Sequence, residues 1–231
     1  MLIACWSPKG GSGTTVIACG LAAVLARSAP SPAGVLIADL AGDVPAVLGA
    51  AEPTGPGLAQ WLAAGPDVAP AALSRLEVDA APGLRLLPWS PGGASVDPPG
   101  PGRAEALIEA LSADVRPVVA DCGTAASGPG LALAAEAPLS LLVLRPCYLA
   151  LRRALAAPVR PSGVVLLTEA GRSLGRRDVE DVLGVPVRAE VAVDEAVARV
   201  VDAGLLARRI PRALERALRA AVGVGASRYA A

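Results

Sequence analysis

The run Ser7-Pro8-Lys9-Gly10-Gly11-Ser12-Gly13-Thr14-Thr15 has the residue types and spacing of a turn that holds a phosphate group. Its glycines let backbone N–H groups curl around an anion, and a helix beginning just after them adds its partial positive charge. A full phosphate-loop pattern reads G-x-x-x-x-G-K-[ST]. Here Pro8 stands at the first glycine position and Thr14 at the lysine position, while Thr15 keeps a hydroxyl able to reach a magnesium ion. Two carboxylates end apolar runs further on: Asp39 after Val35-Leu36-Ile37-Ala38, and Asp121 after Pro117-Val118-Val119-Ala120. An aspartate at the end of a buried strand can reach magnesium through water. These residues suit nucleotide binding and phosphoryl chemistry.

Lys9 stands out by composition. Of the 21 lysines and arginines it is the one lysine. A compact ammonium on a flexible stem fits between phosphate oxygens where a planar guanidinium is bulkier.

Other chemistries are poorly supplied. The chain has no histidine, which removes the commonest general base and metal ligand. Cys5, Cys19, Cys122 and Cys147 show no C-x-x-C spacing and read as buried free thiols rather than a zinc or redox site. Acidic and basic residues balance, 21 against 21, so nothing announces a nucleic-acid or acidic partner. Although 53% of residues are hydrophobic, no run has the length of a membrane span; the nearest, Leu131 to Leu144, contains Glu136 and Pro138. A strand at the very start with no basic n-region predicts no signal peptide and a reducing cytosol.

The elements that must position these residues follow from periodicity. Leu2 to Trp6 is a buried strand and Val16 to Arg27 a helix with Ile17, Leu21, Val24 and Leu25 on one face; Val35 to Ala38 is a second strand. Strand, glycine turn, helix and strand make a βαβ unit, which implies a right-handed crossover and a parallel sheet. Further strands are expected at Leu84–Pro88, Pro117–Asp121, Leu139–Leu144, Gly163–Leu167 and Val187–Val191. Helices are expected at Gly57–Ala64, Ala71–Leu76, Ala104–Leu111, Leu149–Ala156, Arg176–Leu183, Asp194–Ala203 and Pro211–Val222. The Pro- and Gly-rich stretch from Trp89 to Gly102 reads as an exposed loop, and residues 223–231 as a disordered tail. The fold class is therefore α/β: one domain over 1–222, a mostly parallel sheet of about seven or eight strands with helices on both faces.

The loop resembles the deviant Walker A loop, K-G-G-x-G-K-[ST], of the ParA/MinD superfamily of P-loop NTPases. Lys9, Gly10, Gly11, Gly13 and Thr15 match that pattern and Thr14 departs from it. A small residue there makes the loop look most like the TadZ/CpaE branch, which places pilus machinery at a cell pole. The resemblance implies ATP and Mg2+ as ligands. Lys9, Gly10, Gly11, Ser12, Gly13, Thr14, Thr15 and Asp39 would hold the nucleotide, and Thr15 and Asp121 the metal. It also implies an ATP-linked homodimer in which Lys9 reaches the phosphates of the facing subunit. The family's D-x-D has become Asp39-Leu40-Ala41, losing the aspartate that positions the attacking water; Asp43, at a different backbone position, is a poor replacement. Where the family has an adenine-contacting Asn after a strand, this chain has Thr168-Glu169. With Thr14 and Ala41 each removing a contribution, the resemblance implies a nucleotide switch with little or no hydrolysis. That switch would be cytoplasmic and recruited to a pole or membrane by pilus or secretion partners. Two alternatives stay open: an active ParA-type ATPase partitioning DNA or other cargo, with Arg152-Arg153 and Arg208-Arg209 as DNA contacts, and a structural protein that no longer binds nucleotide.

Overall fold

The computed structural model describes residues 1–28, 33–65, 68–89, 100, 102–125 and 127–223. Most of the expected loop over 89–102 and, apart from Gly223, the expected tail lie outside these residues.

The strands are β1 (Leu2–Trp6), β2 (Val35–Asp39), β3 (Val78–Ala81), β4 (Leu84–Leu87), β5 (Val118–Asp121), β6 (Leu139–Leu144), β7 (Gly163–Thr168) and β8 (Val187–Ala192). They form one sheet in the order β3-β4-β2-β5-β1-β6-β7-β8. Every pairing is parallel except the edge hairpin β3–β4. The antiparallel β3 is a strand that the periodicity did not announce; it is short, small-residued and turns back at Pro82-Gly83.

The helices are α1 (Thr14–Ser28), α2 (Val44–Leu48), α3 (Leu58–Ala63), α4 (Arg103–Ala113), α5 (Gly128–Glu136), α6 (Tyr148–Ala156), α7 (Arg176–Leu183), α8 (Glu195–Asp202) and α9 (Arg212–Ala221), with a 3-10 turn at Pro70–Leu76. Alternate residues of each central strand feed opposite cores. Leu2, Ala4 and Trp6 join α3 to α7 on one face, and Ile3 and Cys5 join α1, α2 and α9 on the other. With both faces covered, a parallel strand reads as a continuous apolar run, which is why these strands were legible. The end of the chain docks onto this core through Leu214 and Leu218, 2% and 0% exposed. Among the described residues no helix is long and apolar enough to cross a membrane.

Candidate functional site

In the sheet β1 and β5 are neighbours, but β1 leads through α1 to β2 on one side and β5 through α5 to β6 on the other. Chain paths that part in this way leave a crevice at the C-terminal ends of the two strands, where open α/β sheets keep their ligands. The glycine loop follows β1 into that crevice and Asp121 ends β5 beside it. A cleft of about 770 Å³ opens there, lined by loop residues Gly10 to Val16, by Ala41 and Asp43 after β2, by Trp89 after β4, and by residues of the loop after β5. That volume lies within the range of small-ligand and cofactor sites.

The loop is shaped from within. Gly11 and Gly13 have φ of 73° and 79°, the left-handed region that favours glycine. The hydroxyls of Ser7 and Ser12 each donate to the Lys9 carbonyl at 3.0 Å. A Cβ built on Gly10 or Gly11 would meet nothing within 4 Å, so the loop backbone is open above both glycines. The first bond of α1 runs from Ile17 N–H to the Gly13 carbonyl at 3.0 Å. The helix thus begins at Thr14, two residues before the expected Val16, and places Thr14 and Thr15 in its first turn, where N–H groups are unpaired and the helix dipole is positive.

Asp39 and Asp121 are paired in register on β2 and β5, so both carboxylates lie on the α1 face of the sheet. Their roles differ. Asp39, expected among the nucleotide-binding residues, turns inward instead: Oδ1 accepts from Ala41 and Gly42 N–H (3.0 and 2.7 Å) and Oδ2 from Val44 N–H (3.2 Å). It is 1% exposed and does not line the cleft. Burial raises its pKa, and those three N–H groups pull it back. Asp39 shapes the loop that carries Ala41 and Asp43.

Asp121 keeps an open valence. Oδ1 accepts from Gly123 N–H at 3.2 Å, while Oδ2 is buried with no hydrogen-bond partner. Burial pushes its carboxyl up to about 6, and the neighbouring Asp39 and Asp43 push the same way; the Thr15 hydroxyl beside it and Gly123 N–H oppose them. A buried carboxylate oxygen without a partner is costly unless something binds it. A hard divalent cation such as Mg2+, taking oxygen ligands and keeping its waters, fits this corner, with Thr15 and Asp121 as the residues that would hold it. Bound there, the ion would neutralise phosphate charge.

Lys9 is not brought to that corner. It is half-buried, does not line the cleft, and its ammonium lies 3.4 Å from the Gly10 carbonyl. Thr14, 7% exposed, lines the cleft but is neutral. After β7, at the expected base position, the Glu169 carboxylate is engaged by Arg145 and by Arg172. Arg152 and Arg153 are exposed on α6, on one face of the sheet; Arg208 and Arg209 are exposed between Leu206 and Ile210, which pack on the other face. The thiols of Cys5, Cys19 and Cys122 are buried, and burial raises the pKa of each, so they are inert.

Trp89, Thr124 and Ser127 line the cleft and escaped the reading by motif, and Asp43, read there as a poor replacement for the lost aspartate, lines it too. Trp89 is set in place by α3, whose Leu58 and Ala59 N–H groups donate to the Pro88 and Trp89 carbonyls at 2.8 Å. That approach requires Gly57, because a Cβ there would stand 2.5 Å from the Trp89 carbonyl oxygen. The loop after β5 is tied to the phosphate loop by Ser7 N–H donating to the Gly123 carbonyl at 2.9 Å. The same loop holds Ala125 at φ 40°, the one non-glycine residue with positive φ among the described residues.

No protein-family model matches the sequence, and no curated protein matches it. Solved structures do match. A ParA family ATPase from Chlorobium tepidum TLS superposes with a TM-score of 0.78 at 20% identity, covering 95% of this chain and 96% of that one. The septum site-determining protein MinD of Pyrococcus horikoshii OT3, solved with Mg-ADP, gives 0.77 at 18% identity, covering 97% and 95%. A McdA–ATP complex from Cyanothece gives 0.70 at 17% identity, covering 96% of each chain. Eight strands in a mostly parallel sheet, helices on both faces and a glycine loop after β1 give this chain the single-domain fold of the ParA and MinD P-loop ATPases.

Proposed function

We propose that this protein is a ParA/MinD-type switch that binds ATP with Mg2+, hydrolyses it slowly or not at all, and acts as a scaffold positioning pilus or secretion machinery in the manner of TadZ/CpaE. The observation that carries the reading is the corner made by the glycine loop, Thr15 and Asp121, whose buried Oδ2 is unpartnered next to the positive end of α1. Catalysis of phosphoryl transfer is positioning plus charge stabilisation. Here the in-subunit lysine is Thr14 and the carboxylate expected at Ala41 is a methyl group, so both contributions are reduced. The pilus or secretion assignment rests on the small residue at position 14 of the loop. Recruitment from the cytoplasm to a pole or membrane would then be the work of those partners.

Lys9 points to how such a switch would work. Lys9 does not line its own cleft, and its ammonium would be available to a second copy facing that cleft, so that ATP would join two protomers. Nucleotide then stabilises the dimer by mass action, and the dimer stabilises the nucleotide. A second reading, a working ATPase, is favoured by one observation, the carboxylate of Asp43 on the cleft wall.

The test is titration with ATP and ADP, with and without Mg2+, following heat and tryptophan fluorescence, with light scattering on the wild type and on Lys9→Ala. Micromolar or weaker binding, and ATP-dependent dimers that Lys9→Ala abolishes, are expected. Silence at millimolar ATP makes this a structural protein. An oligomeric state indifferent to both ATP and Lys9 ends the switch reading.

A further inference from the structure

Among the described residues that line the cleft, Asp43 is the one with a charged side chain, and the charge is negative. Asp43 is exposed and stands at the N-cap of α2, yet makes no side-chain cap bond. Among the described residues nothing pairs with its carboxylate. Its charge is felt at Asp121 and at Asp39, where it adds to the upward pressure on both carboxyls, so it lies within electrostatic reach of the Thr15–Asp121 corner. Anions in this cleft are therefore met by N–H groups, a helix end, hydroxyls and whatever cation they bring; Asp121 is the carboxylate that cation would occupy, and Asp43 is the fixed acid left on the cleft wall. Each added phosphate brings more negative charge toward that acid.

We propose, resting on the nucleotide-binding reading above, that Asp43 makes the cleft of a single protomer select the diphosphate over the triphosphate form of its nucleotide. The N–H cradle and the α1 terminus serve the phosphates nearest the loop in both forms, so that part of the binding does not discriminate. A loop of this kind serves the α- and β-phosphates, so a terminal phosphate beyond them would gain least from the cradle, and its charge would be repelled by the carboxylate. The triphosphate form is then held well only where an outside cation offsets the acid, and Lys9 of a second copy is such a cation.

The experiment is calorimetric titration of ADP and ATP, with and without Mg2+, into Lys9→Ala protein and into the same protein carrying Asp43→Asn or Asp43→Ser. The Lys9→Ala background removes the second copy's ammonium, and Asn and Ser both serve as N-caps, so α2 keeps its start. Circular dichroism melts check that each variant is folded. Expected is tighter binding of ADP than of ATP by the Lys9→Ala protein, and an ATP-to-ADP affinity ratio that rises about fivefold when Asp43 is replaced. The gain should shrink as salt is added. Binding of both nucleotides with an unchanged ratio overturns the selectivity and leaves the nucleotide reading intact. Loss of ATP·Mg2+ affinity on replacing Asp43 also overturns it, because the acid would then be assisting the metal. No binding of either nucleotide by the wild type and by these variants alike overturns both.

Discussion

Gly49 and Gly204 meet backbone against backbone: a Cβ on Gly49 would stand 1.7 Å from the Gly204 carbonyl oxygen. Gly49 is the C-cap of α2, in the left-handed region at φ 68°, and Gly204 follows α8 at φ 63°. The helix that starts at Asp43 is thus anchored at its far end by a contact no side chain allows.

Replacing Gly49 with Ala combines that clash with a strained φ. A loss of about 3 kcal/mol or more in urea unfolding is expected. Gly83 is the control, since it has φ +72° with nothing within 4 Å of a built Cβ. Gly83→Ala should cost only about 1 kcal/mol, the strain alone. Equal losses at the two sites would show that crowding at Gly204 is not what holds α2.

Asp121→Asn removes a buried, partly unpartnered charge. In nucleotide-free protein at neutral pH the variant should be more stable than the wild type by about 1–2 kcal/mol. It should also lose the thermal stabilisation that ATP with Mg2+ confers on the wild type. A destabilised variant that still responds to Mg2+ would rule out Asp121 as the metal's carboxylate.

Restoring the two missing groups, Thr14→Lys with Ala41→Asp, should raise phosphate release at least about tenfold over a negligible wild-type rate. Ala41 lines the cleft next to Gly123, whose built Cβ would lie 3.3 Å from the Ala41 Cβ, so a carboxylate there reaches the loop after β5. A wild type that already matches the double variant would mean that the site is not damaged.

Acid stability should depend on Arg116, which binds Glu77 at 2.7 and 2.8 Å and Asp114 at 2.7 Å. Burial pushes the Asp114 carboxyl up, but the hydrogen bonds and charge of Arg116 outweigh it and hold the pKa below the ordinary value. A carboxyl depressed in the folded state stabilises above its unfolded pKa, about 3.9, and loses that contribution as pH falls through the folded value. Wild-type urea midpoints should therefore drop below about pH 4 more steeply than those of Arg116→Gln, which should already be weaker by roughly 1–2 kcal/mol at neutral pH. Parallel acid slopes would exclude the pair as the cause.

Much of this molecule was written in local pattern. Continuous apolar strands, the glycine loop before α1, and aspartates ending β2 and β5 follow from burial on two faces and from backbone freedom at glycine. What the pattern missed is equally physical. The start of α5, Gly128-Pro129-Gly130, has turn propensities, and burial of Leu133 and Ala134 at 0% exposure overrides them. The five-residue α2 is too short to show a period and exists because Asp39 gathers three N–H groups ahead of it and Gly204 receives its end. Sequence placed Asp39 and Asp121 at strand ends; only the register of β2 on β5 put them side by side, and only local hydrogen bonds turned one inward and left the other open. Trp89 belongs to no motif, and Asp43 lies outside the D-x-D spacing. They reach the cleft because strands distant along the chain become neighbours in the sheet, and that pairing is decided by non-local packing that no window of sequence contains.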